Sequence, residues 1–200
     1  TRSDMRWYYR ANFWPNTPDI LPGHLQHATS QMFRIRAALA ATLSSSWGMY
    51  SGYELCENDP YPGKEEYDNS EKYELKERDY NQPGNITPLI RALNLIRRDN
   101  PALHLYDNLR FHHADHPQIL CYSKATPDFS NRILCVVSHD PHHQASGAVH
   151  LDLHALGLDP HRPYKVTDLL HNQSYEWRGA DNYVILNPHA TMMHLFRVEQ

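Results

Sequence analysis

The sequence predicts an α/β unit followed by an all-β domain, an antiparallel β-sandwich, and three observations carry that reading. Between residues 7 and 55 a strand-like run, a helical period and a second strand-like run follow one another, which is the order of a parallel βαβ unit. Beyond Asn100-Pro101 no long helical period recurs, and short alternating segments separated by turn residues take over. Composition agrees, since 40% hydrophobic and 21% charged residues in a chain of 200 are the balance of an ordinary globular protein with enough apolar residues for a core.

The first strand is expected over the aromatic run Trp7-Tyr8-Tyr9-Arg10-Ala11-Asn12-Phe13-Trp14, whose residue types favour a pleated surface. Pro15 and Pro18 forbid its continuation in a sheet interior, so the strand ends in Asn16-Thr17-Pro18-Asp19-Ile20-Leu21-Pro22 and delivers the chain to an acid, Asp19. In a parallel α/β barrel, catalytic side chains sit where strands run into the loops at their carboxyl ends. The same residues also make an ordinary turn in which Asn16 or Asp19 bonds its own backbone. Next, Thr29 or Ser30 is a candidate N-cap, and Met32, Ile35, Leu39 and Leu43 keep helical spacing. Trp47-Gly48-Met49-Tyr50, followed by Ser51-Gly52-Tyr53-Glu54-Leu55, reads as a short buried strand that stops at a glycine.

From Cys56 to about Asn85 the chain turns polar, broken by Pro60, Pro62, Gly63, Pro83 and Gly84, with the charged run Lys64 to Asp79 between them. A loop this long in a compact domain is usually functional. A second helix is expected over Ile86 to Arg98, with Leu89, Leu93 and Ile96 on one stripe and Arg97-Arg98 at the carboxyl end, where the dipole favours cations. The boundary at Asn100-Pro101 divides the chain into residues 1–100 and 101–200. Strands are then expected at Leu109–His113, Ile119–Lys124, Arg132–Ser138, Ala148–Leu153, Tyr164–Asp168, Ser174–Trp177, Tyr183–Leu186 and Met193–Val198. The first half holds too few strands to bury its own edges, so the chain is read as the carboxyl-terminal fragment of something longer.

Several function classes are disfavoured. A net charge of −4 gives no basic field for nucleic acid or anionic lipid. No apolar run approaches the roughly 20 residues that span a bilayer, and no signal-like segment follows the first residues, so no membrane partner is expected. Cys56, Cys121 and Cys135 form no C-x-x-C pair, and the last two lie in apolar runs as small hydrophobes, which suits a reducing cytoplasm. The 15 histidines invite a metal. Yet His150-Leu151-Asp152-Leu153-His154 alternates like a strand, leaving its two histidines on one face but too far apart to chelate one ion, and no Glu or Cys falls at a zinc spacing. Neither a metal nor a cofactor is expected.

The segments Asn16 to Pro22, Arg36-Ala37-Ala38-Leu39-Ala40-Ala41-Thr42-Leu43, Trp47 to Asn58, Pro62-Gly63-Lys64-Glu65-Glu66-Tyr67 and Ser70-Glu71-Lys72-Tyr73-Glu74-Leu75 resemble the bacterial α-1,4-glucan:maltose-1-phosphate maltosyltransferases of the α-amylase superfamily. The resemblance is dense over the first hundred residues, continues through Arg97 to Leu103, and is weak beyond. It implies that residues 1–100 are the last part of a (β/α)8 TIM barrel and residues 101–200 the carboxyl-terminal β domain. It further implies retaining transfer of maltosyl units from maltose 1-phosphate to α-1,4-glucans in a cytoplasmic homodimer. Asp19 matches the third acid, the transition-state stabiliser, and Lys72 and Tyr73 match residues that hold the donor. No position matches the nucleophile or the acid/base, so the chain alone is expected to be inactive. Trp14-Pro15 departs from the less constrained residues expected before Asn16.

Two other readings remain. An α-amylase-type hydrolase would carry a histidine immediately before the third acid, where Pro18 stands. A non-catalytic carbohydrate-binding or interface module would use the aromatic residues of the second half. Glu54, Glu57, Glu65 and Glu66 are read as solvated or salt-bridged surface.

Overall fold

A computed structural model describes residues 3–71 and 74–200. Strands β1 (Asn12–Phe13) and β2 (Ser46–Trp47) pair in parallel, Asn12 opposite Ser46 and Phe13 opposite Trp47, with helix α1 (Ser30–Leu43) between them in sequence. The strand–helix–strand order is the expected one, but the strands are shorter. Asp4–Trp7 forms a 3-10 turn, and Trp7, Tyr8 and Tyr9 are exposed. Aromatic β propensity is a preference for a half-buried surface with cross-strand neighbours, and residues 8–11 lie outside any strand. The second strand likewise ends at Trp47. Gly48 N–H bonds the Phe13 carbonyl at 3.0 Å, and the Trp14 ring lies so close that a Cβ on Gly48 would come within 2.7 Å of it. Only glycine lets the two segments approach this closely.

Helix α1 is buried on nearly every side, through Phe33, Ile35, Ala37, Ala38, Leu39, Ala40, Ala41 and Thr42. Its carboxyl end is capped from helix α2 (Thr87–Asp99): the Arg97 guanidinium donates to the carbonyls of Ala41, Ser44 and Ser45, orphan acceptors at the negative end of the dipole. In α2 the buried Ile90, Leu93 and Ile96 form the apolar stripe.

Eight antiparallel strands follow: β3 (Leu109–Ala114), β4 (Ile119–Ala125), β5 (Arg132–Ser138), β6 (Ala145–His150), β7 (Tyr164–Asp168), β8 (Gln173–Trp177), β9 (Asp181–Leu186) and β10 (Met193–Glu199). Their order is β8-β7-β10-β5-β4-β3-β6-β9. The expected sandwich of two sheets is therefore one continuous sheet. Strand β3 makes the bend, since Leu109 to His112 pair with β4 while His113 and Ala114 pair with β6. Beyond the bend, β6 and β9 turn Ala145, Val149, Val184 and Leu186 onto Cys121, Leu134, Val136, Val166 and Phe196 in a shared core. One strand also moves from its expected range: β6 ends at His150, Leu151 N–H still bonds the Ala180 carbonyl in register with β9, and Asp152 N–H turns to His112 Nδ1. The alternation expected over His150–His154 is not formed.

The other face of the sheet carries the helices. Leu109, Tyr122, Ile133, Cys135, Val137 and Leu195 share one core with Phe33, Ala38, Leu39 and Leu93. Cys121 and Cys135 thus face opposite cores, which is why neighbouring strands hold them without a disulfide. Tyr122 is fully buried, and its hydroxyl meets Thr42 Oγ1 at 2.5 Å, tying α1 to β4.

Candidate functional site

Asp19 sits on the loop that leaves β1. The loop closes on itself: Thr17 N–H donates to the Ile20 carbonyl at 3.1 Å, and Ile20 N–H returns to Thr17 through its carbonyl at 3.2 Å and its Oγ1 at 3.0 Å. Pro18 and Asp19 form its exposed tip. The turn and the functional placement suggested by these residues are therefore compatible: the turn presents the carboxylate.

Asn16 anchors that turn from below and is 1% exposed. Its Oδ1 accepts the Tyr50 N–H at 2.9 Å, and its Nδ2 donates to the Tyr67 hydroxyl at 2.6 Å. One amide thus ties the β1 loop both to the chain after β2 and to the long polar loop. Burial pushes the Tyr67 phenol up to about 12, with the Asn16 bond pulling the other way. In the sequence Asn16 reads as a turn residue that bonds its own backbone; its burial between two tyrosines required the fold.

The polar loop is a built structure. Leu21 N–H bonds the Glu65 carbonyl and Gly23 N–H the Glu65 carboxylate, both at 2.9 Å. Gln26 Nε2 reaches the carbonyls of Leu21 and Lys64. Asn58 exchanges bonds with the segment just before α1, accepting from His27 N–H and donating to the Ala28 carbonyl. Glu57, read from the sequence as solvated or salt-bridged surface, is salt-bridged and half-buried, meeting Arg78 at 2.8 Å and Lys76 at 3.0 Å. Burial alone would raise its carboxyl, but Arg78 and Lys76 outweigh that and hold it below the usual value. The Arg78 guanidinium also bonds Glu71 at 2.7 Å, and Glu71 N–H donates to the Tyr50 hydroxyl at 3.0 Å. Tyr50 therefore touches both the anchor of Asp19 and the segment that leads into Lys72-Tyr73. Lys72 and Tyr73 themselves lie outside the described residues. No sequence signal separated Glu57 and Arg78 from the rest of the charged run; a partly buried pair is distinguished only by what covers it.

A cleft of about 530 Å³ lies between β1, α1 and β4, lined in part by Phe13, Trp14, Arg36, Leu43 and Leu120. Among the described residues no helix is long and apolar enough to cross a membrane.

The chain, a short parallel strand pair joined through two helices to an antiparallel sheet, shares its fold with parts of two solved enzymes. It is similar to the γ-CGTase of alkalophilic Bacillus clarkii, with a TM-score of 0.66 at 14% identity over 94% of this chain and 26% of that one. It is also similar to the maltogenic α-amylase AmyB of Thermotoga neapolitana, with a TM-score of 0.68 at 13% identity over 96% of this chain and 42% of that one. Sequence narrows the class. Residues 111–198 match the family described as GLGE, C-terminal. The α-1,4-glucan:maltose-1-phosphate maltosyltransferase of Myxococcus xanthus is 51% identical over 94% of this chain, and that of Methylacidiphilum infernorum 47% identical over 96%. By sequence the chain is similar to these maltosyltransferases over nearly all of its own length, and it spans 28% and 29% of those two relatives.

Proposed function

We propose that the chain is the carboxyl-terminal part of a retaining glycosyltransferase that moves maltosyl units from maltose 1-phosphate to the non-reducing end of α-1,4-glucans and releases phosphate. The observation that carries the proposal is identity of 51% and 47%, sustained over 94% and 96% of the chain, to relatives bearing that name. On this reading residues 1–100 are the last part of a (β/α)8 barrel, residues 101–200 its carboxyl-terminal β domain, and the whole a cytoplasmic homodimer of glucan synthesis.

Retention needs a carboxylate nucleophile and a second carboxyl group about 5–5.5 Å away that protonates the leaving group and then activates the acceptor hydroxyl. Both come from the earlier part of the enzyme, so this chain alone turns over no substrate. What it adds is Asp19. A carboxylate held by a closed turn accepts hydrogen bonds from ring hydroxyls that tighten as positive charge develops at the anomeric carbon, and this stabilises the transition state more than the ground state. Lys72 donates to the hydroxyls of the donor disaccharide, and Tyr73 adds an apolar face with one polar handle. The Asn16–Tyr50–Glu71 contacts tie the Asp19 turn to the segment that precedes Lys72, which supports this reading.

The test is phosphate release from maltose 1-phosphate by the longer protein that contains this chain, with a glucan acceptor. The expected products are phosphate and glucans lengthened in steps of two glucose units. Free maltose without lengthened glucan would favour the hydrolase, and glucan binding without any turnover the non-catalytic module.

A further inference from the structure

The narrowest joint of the sheet is the one where it bends. Strands β4 and β5 share seven residue pairs, whereas β3 and β6 share only His113 with His150 and Ala114 with Val149. Around that joint stand two histidines and two carboxylates. His150 Nε2 lies 2.8 Å from Asp115 Oδ1, and His150 Nδ1 lies 2.8 Å from Asp181 Oδ1. The His113 ring stacks on that of His150 with centroids 5.3 Å apart, and its Nε2 is 3.7 Å from the same Asp115 oxygen.

Valence makes this arrangement informative. A neutral imidazole has one N–H, yet both nitrogens of His150 face a carboxylate oxygen at hydrogen-bond distance. A positive charge is needed between the ring and one of the two: either a second proton or a metal ion. The second histidine cluster has no such requirement. There Asp168 Oδ2 is 2.7 Å from Nδ1 of both His171 and His194, and each neutral ring supplies its own proton.

We propose that His113 Nε2, His150 Nε2 and Asp115 Oδ1 bind a divalent late transition-metal ion of the zinc type, with Asp181 orienting His150 through its Nδ1–H. The three ligand atoms lie within 4.8 Å of one another. A tetrahedral zinc with bonds of about 2.0–2.1 Å sets its ligand atoms about 3.3 Å apart, between the 2.8 Å and 3.7 Å found here. Two imidazoles with one carboxylate leave a fourth position for water and select zinc, copper or nickel over magnesium and calcium. A carboxylate on the far nitrogen of a ligating histidine is the usual outer support, fixing tautomer and ring orientation. The ion would join β3, β6 and β9 where the sheet is held by fewest backbone bonds. Counting ligands along the sequence missed the set because strand pairing, not a short spacing, brings it together.

Zn²⁺ alone is the probe, added to the full chain and followed by calorimetry and by equilibrium dialysis with metal analysis. One saturable micromolar site is expected, with a rise in melting temperature. His113→Ala removes a mostly exposed ring, so the fold is retained, and circular dichroism checks this. It should weaken zinc binding about tenfold or more and abolish the melting shift, and Asp181→Asn should weaken binding about tenfold. His171→Asn should leave the affinity unchanged, and excess Mg²⁺ should not compete. Equal affinity and equal melting shift in wild type, His113→Ala and Asp181→Asn would overturn the proposal, as would the absence of saturable binding or loss of the site in His171→Asn.

Discussion

Replacing Asn16 by alanine tests how the Asp19 turn is held. The change removes an acceptor from the Tyr50 N–H and a donor to the Tyr67 hydroxyl, at a site where Asn16 is 1%, Tyr67 7% and Tyr50 9% exposed. Water cannot readily replace the amide there. A buried N–H left without a partner costs about 1–3 kcal/mol, and the lost bond to a phenol that keeps its own hydrogen about 0.5–1.5 kcal/mol. The expected loss of stability is therefore about 1.5–4.5 kcal/mol, measured by urea unfolding followed by circular dichroism and tryptophan fluorescence. Tyr67→Phe should cost less than Asn16→Ala, and the double variant less than the sum, because the two groups share a bond. A loss below about 0.5 kcal/mol for Asn16→Ala would mark the site as surface-like and refute the anchoring role.

Lys124 is fully buried with its ammonium on the Leu105 carbonyl at 2.6 Å, and burial lowers its pKa to about 8. The unfolded chain then binds more protons between about pH 8 and about 10.4, so stability should rise with pH across that window. Lys124→Met should stabilise the protein by about 1–3 kcal/mol at pH 7 and lose that advantage above the window, read from urea midpoints at the two pH values; no gain at neutral pH would contradict it. Burial pushes the Cys56 thiol up to about 11, Cys135 up to about 12 and Cys121 higher still. All three should react slowly with a thiol reagent at pH 8 in the native protein and quickly in denaturant, and a fast native phase would count against the packing. In the longer protein, Lys72→Ala should raise the KM for maltose 1-phosphate by the equivalent of about 1–3 kcal/mol with little change in kcat, because the contact is made in the ground state.

The antiparallel strands were legible because their residues alternate and turns separate them: Arg132–Ser138 and Tyr164–Asp168 have the expected limits, and β3, β4, β8 and β10 differ by one residue. The first strand was over-read because Trp7, Tyr8 and Tyr9 have the composition of a strand but pair with no strand among the described residues, and pairing decides. How the sheet bends was not legible, since β3 changes partner between His112 and His113 with no mark in its alternation. At the candidate site, the placement of Asp19 on a loop after a strand was legible. The half-buried Glu57 with Arg78 was not, because a charged run looks the same in sequence whether or not another segment covers it.

The most direct measurement is the steady-state kinetics of Asp19→Asn in the longer protein, with maltose 1-phosphate and a glucan acceptor. Asparagine keeps the size and the turn but not the negative charge. If Asp19 acts on the developing positive charge, kcat should fall by roughly 10²–10³-fold with the KM for the donor little changed, since an interaction made only in the transition state is lost from the rate. Near wild-type kcat, with the turn shown intact by an unchanged unfolding midpoint, would contradict the assignment and leave Asn16-Thr17-Pro18-Asp19 a structural turn alone.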